Sequence, residues 1–201
     1  MRSLIRPQHL IFGFLFLVST VVQAQTYSFK HLGVEEGLSQ SVITTVIQGD
    51  DGTFWIGTMS GLNRWDGKEF EIFMESDGLA ENWITSGLKD KRGNIWFGHW
   101  GGGLSYYEKS TGKIYDLKFE LYTNYKSVNA IFEDHSGKIW IATDGNGILE
   151  YDPETREVLS IKKKDGFTGN AASSICEDDK NRIWFATEQG LVIHHGRTGK
   201  D

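Results

Sequence analysis

The chain has 201 residues, a net charge of −6, 39% hydrophobic residues and one cysteine. The surplus of acidic side chains argues against a nucleic-acid partner, because phosphate binding needs a basic surface. The single cysteine, Cys176, excludes an internal disulfide, so stability has to come from a packed core.

The first predicted element is a signal peptide over residues 1–24. Two arginines precede an apolar run at residues 10–18, and a small-residue pattern of the kind that signal peptidase reads ends at Ala24. The run is shorter than the roughly 20 residues that span a bilayer. We therefore expect an exported, periplasmic protein whose mature chain begins at Gln25. An uncleaved N-terminal anchor is the alternative.

Four similar segments follow, and each is centred on a tryptophan. The tryptophans are separated by 41, 44 and 44 residues. A Gly or Asn stands three residues before each tryptophan, and a Gly stands six or seven residues after it. Asn tolerates a positive φ best after Gly, so the fourth repeat keeps the same turn chemistry. The repeat anchors are Gly52, Trp55, Gly61, Gly93, Trp96, Gly103, Gly137, Trp140, Gly147, Asn181, Trp184 and Gly190.

Each repeat predicts four short strands, which in the first repeat cover 42–48, 53–58, 62–65 and 69–73. The second strands are continuous apolar runs such as "IWF", which are typical of strands covered on both faces. A four-stranded sheet of about 42 residues, covered on both faces by its neighbours, is a β-propeller blade. We predict an all-β propeller over residues 25–201. Its blades lie at about 37–76, 78–118, 122–163 and 166–201, and the last is incomplete.

Cys176 occupies the same place in its repeat as Ile47, Leu88 and Phe132. Unpaired cysteines commonly behave as small apolar side chains. We therefore predict that Cys176 is buried and unreactive.

The segment "EGLSQSVITTVIQGDDGTFWIGTMSGLNRWDGKEFEIF" closely resembles the two-component regulator propeller repeat. The resemblance extends over essentially the whole mature chain. It implies the periplasmic sensor region of a bacterial hybrid histidine kinase, with glycan-derived ligands. Such proteins carry many more repeats, an immunoglobulin-like domain, a membrane helix and a kinase, none of which lies in this chain. The resemblance therefore implies the N-terminal piece of such a sensor, a truncated gene or a stand-alone relative.

The sequence leaves two arrangements of the blades open. The fourth repeat stops after its third strand, which favours an open arc or partial propeller. Residues 27–32 align with the fourth-strand segment of repeat 1, so they offer an outer strand for the last blade. That strand would close a four-bladed ring and remove its exposed edges.

No catalytic constellation is visible in the sequence. The histidines are scattered over different repeats, and no spacing typical of a metal site is present. We predict no cofactor, no metal and no enzymatic activity, with kinase activity expected only in a C-terminal part. Asp50, Gly52 and Trp55 resemble the Asp-box of sialidase propellers, so a glycoside hydrolase remains an alternative.

The strand order places the loops between second and third strands on one face, together with the loops that link the blades. Aromatic rings stack on sugars, and amides and carboxylates fix hydroxyl groups. We expect an oligosaccharide or other small ligand on this face. Further blades or domains of the same sensor are the expected protein partners. A non-catalytic scaffold or homodimer is the alternative. The predicted ligand-binding residues are Trp83, His99, Trp100, Tyr122, Asp144, Asn146 and Glu188.

Overall fold

A computed structural model describes residues 27–101, 103–117, 127–162 and 165–195. The chain divides into two compact units, residues 1–31 and 32–201. In the first unit, the described residues 27–31 form neither helix nor strand, and the predicted signal peptide lies outside the described residues. Within the described part of the chain, no helix has the length and apolar character that would let it cross a membrane.

All the strands of the described residues lie in the second unit, together with two short 3₁₀ turns at Val34–Glu36 and Glu75–Asp77. The strands are β1 Ile43–Gln48, β2 Phe54–Thr58, β3 Leu62–Trp65, β4 Phe70–Phe73, β5 Ile84–Lys89, β6 Ile95–His99, β7 Leu104–Glu108, β8 Lys113–Leu117, β9 Val128–Glu133, β10 Ile139–Thr143, β11 Ile148–Tyr151, β12 Val158–Ile161, β13 Ala172–Glu177, β14 Ile183–Thr187 and β15 Gly190–His194.

The strands form four antiparallel sheets, which are blades 1 to 4 in chain order. Blades 1, 2 and 3 have four strands each, and the described part of blade 4 has three, β13 to β15. The innermost strands contact one another in sequence, from β1 to β5, β5 to β9 and β9 to β13. The prediction of an all-β propeller with four-stranded blades is confirmed. The described residues 27–33 form no strand, so the predicted ring-closing strand is not present and the blades form an open row.

The turn between the first two strands of every blade has the same conformation. Gly52, Gly93 and Gly137 have φ values of 82°, 83° and 86°, and Asn181 has a φ of 59°. Only Gly and, at lower frequency, Asn adopt this left-handed conformation without strain. The substitution of Asn for Gly in the fourth repeat therefore preserves the turn.

A carboxylate, buried in blades 2 and 3 and half-buried in blade 4, joins this turn to the anchor tryptophan. The indole N–H groups of Trp96, Trp140 and Trp184 donate to aspartates at 3.0, 2.8 and 2.8 Å. These acceptors stand six residues before each tryptophan: Asp90, Asp134 and Asp178. Blade 1 has Gly49 at this place, and Asp51 instead accepts hydrogen bonds from the backbone and hydroxyl of Thr53.

The hydrophobic core is divided into three clusters, and each lies between two successive blades. Trp55 packs with Ile84 and Phe97 of blade 2. In the same way Trp96 packs with residues of blade 3, and Trp140 packs with residues of blade 4. We call the side of a blade that carries its anchor tryptophan its front face, and the opposite side its back face. Every blade boundary joins one front face to one back face.

Cys176 lies on the front face of blade 4 and is exposed. The prediction that it is buried is therefore wrong. Its equivalents Ile47, Leu88 and Phe132 are partly buried against the core clusters because a following blade packs over each of them. The repeat pattern specified the position of Cys176 correctly, but burial there requires another surface packed over the front face of blade 4.

Candidate ligand-binding face

The loops between second and third strands lie beside the loops that link successive blades. Backbone hydrogen bonds join them, from Gly61 to the carbonyl of Asn82 at 2.7 Å and from Asp144 to the carbonyl of Ser127 at 2.9 Å. In blade 3, Gly145 and Gly147 both donate to the carbonyl of Asn170. This network makes one continuous face, which we call the loop face.

Trp83 and Trp100 form a stacked pair on the loop face. Their ring centroids are 5.1 Å apart, and the ring planes differ by 20°. Trp100 is 50% exposed, and Trp83 is half-buried. The backbone of Trp100 donates to the carbonyl of Trp83 at 3.0 Å and forms a β-bridge with Ser127. The exposed indole is therefore presented by a fixed backbone.

His99 does not reach the surface of the loop face. It is fully buried, and its Nε2 lies 2.7 Å from Ser105 Oγ. Ser105 Oγ also accepts the backbone N–H of Ala80 in the loop that enters blade 2. Burial lowers the pKa of His99 from 6.5 to about 4, so the imidazole is neutral at pH 7. His99 is therefore enclosed in blade 2 beside Ser105 and does not present its side chain on the surface of the loop face.

The polar residues predicted for the site lie on blades 3 and 4. Asp144 and Asn146 are half-buried in the loop of blade 3, and Glu188 is exposed in the loop of blade 4. The backbone of Asn146 donates to Thr143 Oγ1 at 3.1 Å, and Glu188 accepts from the backbone of Asn170 at 3.4 Å. Tyr122 lies outside the described residues. The structure thus pairs the two tryptophans on blade 2 and distributes the polar groups over the two following blades.

Sequence reasoning missed the asparagine that precedes Trp83. The side chain of Asn82 accepts the backbone N–H of Glu75 at 3.0 Å and donates to Glu75 Oε1 at 2.7 Å. Asn82 and Asn170 both stand four residues after a glycine, Gly78 and Gly166, and both carbonyls accept bonds from a neighbouring loop. The recurrence of Asn at this place was visible in the sequence and could have identified it.

A cavity lies between blades 3 and 4, at the end of the second strands that is opposite to the loop face. Its volume is about 180 Å³. The side chains of His135 and Glu177 pair with each other there, as do those of Lys138 and Glu150. Among the described residues no group of three or more metal-ligating side chains is present. The pair of His135 and Glu177 joins blade 3 to blade 4, and the pair of Lys138 and Glu150 lies within blade 3. Because the charges are matched and one pair crosses the blade boundary, the cavity is best explained as part of that boundary.

The Asp-box resemblance at Asp50 has a different explanation in the structure. Asp50 pairs with Lys89 at 2.9 Å and with Lys109 at 2.7 Å, and both lysines belong to blade 2. These contacts lower the pKa of Asp50 to about 2. Asp50 therefore links two blades, while the turn carboxylate of the other repeats stands one residue earlier.

The sequence model of the two-component regulator propeller family matches residues 37–60, 123–145 and 166–189. The matched segments belong to the first, third and fourth repeats, which are therefore similar to the repeat of that family. Blade 2 lies outside the matched segments, but it has the strand order of blades 1 and 3.

A curated protein similar to this chain is histidine kinase P4 of Formosa agariphila. It is 38% identical over 64 residues, which are 32% of this chain and 5% of that protein. A solved structure with the same fold is the extracellular domain of the one-component system BT4673 from B. thetaiotaomicron. It has a TM-score of 0.67 and 25% identity, over 80% of this chain and 22% of that one.

The fold also occurs in PorZ, a surface component of the type IX secretion system of Porphyromonas gingivalis. That likeness has a TM-score of 0.64 at 16% identity, over 89% of this chain and 29% of PorZ. Identity this low indicates the shared fold alone. The present chain spans between a twentieth and about a third of the proteins named here.

Proposed function

We propose that this chain is a ligand-sensing propeller module of a bacterial two-component sensor, exported to the periplasm and binding a glycan-derived ligand on the loop face. The propeller repeats and the similarity to extracellular domains of sensor systems support the sensor role. The observation that carries the proposal is the stacked pair of Trp83 and Trp100, with one indole half exposed to solvent.

An exposed indole on a fixed backbone is suited to binding the C–H face of a sugar ring. Such a face is apolar, so stacking removes apolar surface from water on both sides. Asp144, Asn146 and Glu188 then supply acceptors and an amide for hydroxyl groups. The module has no catalytic task in this scheme. Ligand binding shifts the relative arrangement of the sensor's domains, and the shift is transmitted to a kinase.

The proposal is tested by thermal-shift and calorimetric titration of the purified protein with a panel of oligosaccharides. We expect at least one glycan to raise the melting temperature, and Trp100→Ala to weaken its binding by about tenfold, in line with the loss of one aromatic stacking contact. Tyr115→Ala is the matched control, because Tyr115 is an exposed aromatic residue on β8. The proposal fails if no glycan in the panel binds, or if the Trp100 and Tyr115 variants bind equally well.

A further inference from the structure

The back face of blade 1 is an interface without a partner within the described chain. Ile43 is 47% exposed, whereas the residues at its place in the later blades are at most 2% exposed: Ile84, Val128 and Ala172. Phe54 is 37% exposed, whereas its counterparts are at most 3% exposed: Ile95, Ile139 and Ile183. Val46, on the same strand as Ile43, is also exposed. These side chains have the apolar character of a blade boundary but lie in water.

The front face of blade 4 is uncovered in the same way. Leu191 is 70% exposed, whereas its counterparts are at most 1% exposed: Leu62, Leu104 and Ile148. Trp184 is half-buried, with the Arg182 guanidinium 5.3 Å from its ring, whereas the other three anchor tryptophans are only 2% exposed. Each chain therefore carries one open face of each kind.

The internal boundaries show how these two faces match. Each anchor tryptophan contacts an aromatic ring on the third strand of the next blade. Trp55 lies 4.4 Å from Tyr107, Trp96 lies 5.6 Å from Tyr151, and Trp140 lies 5.2 Å from His194. Strand register puts Trp65 of blade 1 at the place of these three partners, opposite Phe54. Trp184 and Trp65 therefore occupy the two places of such an aromatic pair at a fourth boundary, while Trp65 also packs on Phe70 of its own blade.

The charges match as well. At the first boundary Asp50 pairs with Lys89 and Lys109 of the next blade. Asp179 occupies the place of Asp50 in blade 4, five residues before its tryptophan. On blade 1, Gln48 occupies the place of Lys89, and Lys68 lies in the hairpin that corresponds to that of Lys109. At a fourth boundary, Asp179 of the front face would therefore meet the amide of Gln48 and the ammonium group of Lys68 on the back face.

We propose that the front face of blade 4 binds the back face of blade 1 of a second copy of this chain. The contact joins two different faces, so it is head-to-tail. If each of two copies binds the other in this way, all four open faces are covered. The resulting dimer contains eight blades, which is within the known range of propellers. The inference rests on the blade boundaries alone and is independent of any ligand.

The register of the internal boundaries supplies a covalent test. A Cβ added at Gly87 of blade 2 would stand 2.6 Å from Ile47 Cδ1 of blade 1. Cys176 has the place of Ile47, and Val46 has the place of Gly87. Cys176 of one copy should therefore face Val46 of the other. Because the chain has one cysteine, any disulfide formed by a Val46→Cys variant is easy to assign.

We expect mild oxidation of Val46→Cys to give a disulfide-linked dimer on a non-reducing gel, with peptide mapping that joins position 46 to Cys176. Leu159→Cys, at an exposed position on β12, is the matched control and should give no such product. Val46→Cys combined with Cys176→Ser should also give no disulfide-linked dimer on the same gel, because the cysteine that faces position 46 has been removed. The proposal is overturned if Val46→Cys gives no dimer, or if the Leu159 variant links to Cys176 equally well.

A mixing experiment tests the head-to-tail mode without a covalent bond. Leu191→Asp disables one face and Val46→Asp disables the other, and both positions are exposed enough that the chain should still fold. In sedimentation each variant alone should be a monomer, while an equimolar mixture should form a heterodimer through the remaining intact pair of faces. Leu159→Asp should behave as the unsubstituted chain does. A chain that is monomeric at every concentration, or a mixture that fails to associate, contradicts the proposal.

Discussion

His99 is a titratable side chain held in the interior of blade 2. Its pKa is lowered to about 4 by burial, while in the unfolded chain it stays near 6.5. Below pH 6.5 the unfolded chain therefore binds a proton that the folded chain does not bind. The free energy of unfolding falls as the pH decreases through this range. Between pH 7 and pH 5 we expect a loss of about 2 kcal/mol.

Urea unfolding of the protein and of His99→Asn at the two pH values measures this effect. The Asn variant has no titratable group at the site, so its stability should change much less between pH 7 and pH 5. The range lies above the usual carboxyl pKa values, which keeps most carboxylates out of the comparison. An equal pH dependence in both proteins would show that His99 does not cause it.

Asp134 joins a turn to the anchor tryptophan of blade 3. Burial would raise its pKa, but hydrogen bonds from Ser136, Trp140 and Lys138 outweigh this effect and hold the pKa below its ordinary value. Asp134→Ala leaves the buried indole N–H of Trp140 without its acceptor. We expect a decrease in the free energy of unfolding of about 3 kcal/mol.

The control for this measurement is Asp66→Ala. Asp66 also accepts two backbone hydrogen bonds in a turn, but it is exposed. Its loss should decrease the free energy of unfolding by less than about 1 kcal/mol. Similar losses in the two variants on chemical denaturation would contradict the assigned role of the buried carboxylate.

Comparison of residues shows what the sequence could and could not specify. The tryptophans and turn glycines were predictable because several positions recur together at one period. The carboxylates at Asp90, Asp134 and Asp178 recur six residues before each tryptophan, but repeat 1 has Gly49 there and carries its aspartate one residue later, so this recurrence is incomplete. The burial of His99 follows the repeat, since Thr58 and Thr143 at the same place are also buried. Its hydrogen bond to Ser105 was not predictable, because the residue at the place of Ser105 differs from repeat to repeat.

Equivalent strands of different blades differ in how completely they are covered. All four residues of β11 are buried, whereas β15, the corresponding strand of blade 4, contains no buried residue. Likewise β1 contains no buried residue, whereas its counterparts β5 and β9 contain one and two. In repeat proteins each unit is stabilised mainly by its neighbours, so a unit with one neighbour opens more readily than a unit with two. The inner blades should therefore be the more stable part of the molecule.

Hydrogen exchange followed by mass spectrometry tests this expectation. The Leu191→Asp variant is the suitable protein, because its end faces should remain uncovered. We expect amides of β15 to exchange at least about tenfold faster than those of β11, the corresponding strand of blade 3. Uniform exchange over blades 3 and 4 would mean that the row unfolds as one unit, and that the missing boundary does not weaken blade 4.

At the scale of the whole molecule, one type of boundary determines both the fold and its open ends. The repeat period predicts the number of blades, because each period builds one sheet with a front face and a back face. The period contains no information about where a row of blades stops or what covers its ends. The exposure of Ile43 and Leu191 in the folded chain reveals both open faces. The sequence does not reveal them, because both positions carry apolar residues like their buried counterparts in the other blades.

If the open faces associate as proposed, thermal stability has to depend on protein concentration. Association that occurs only in the folded state stabilises that state by mass action. For a dimer of this length, the melting temperature should rise by roughly 2 °C for each tenfold increase in concentration. Leu191→Asp should melt at a temperature that does not change with concentration, while Leu159→Asp should follow the unsubstituted chain. Differential scanning calorimetry over a hundredfold concentration range makes the measurement. If the melting temperature is constant for all three proteins, the two faces do not bind each other, because a folded dimer would be stabilised as the protein concentration increases.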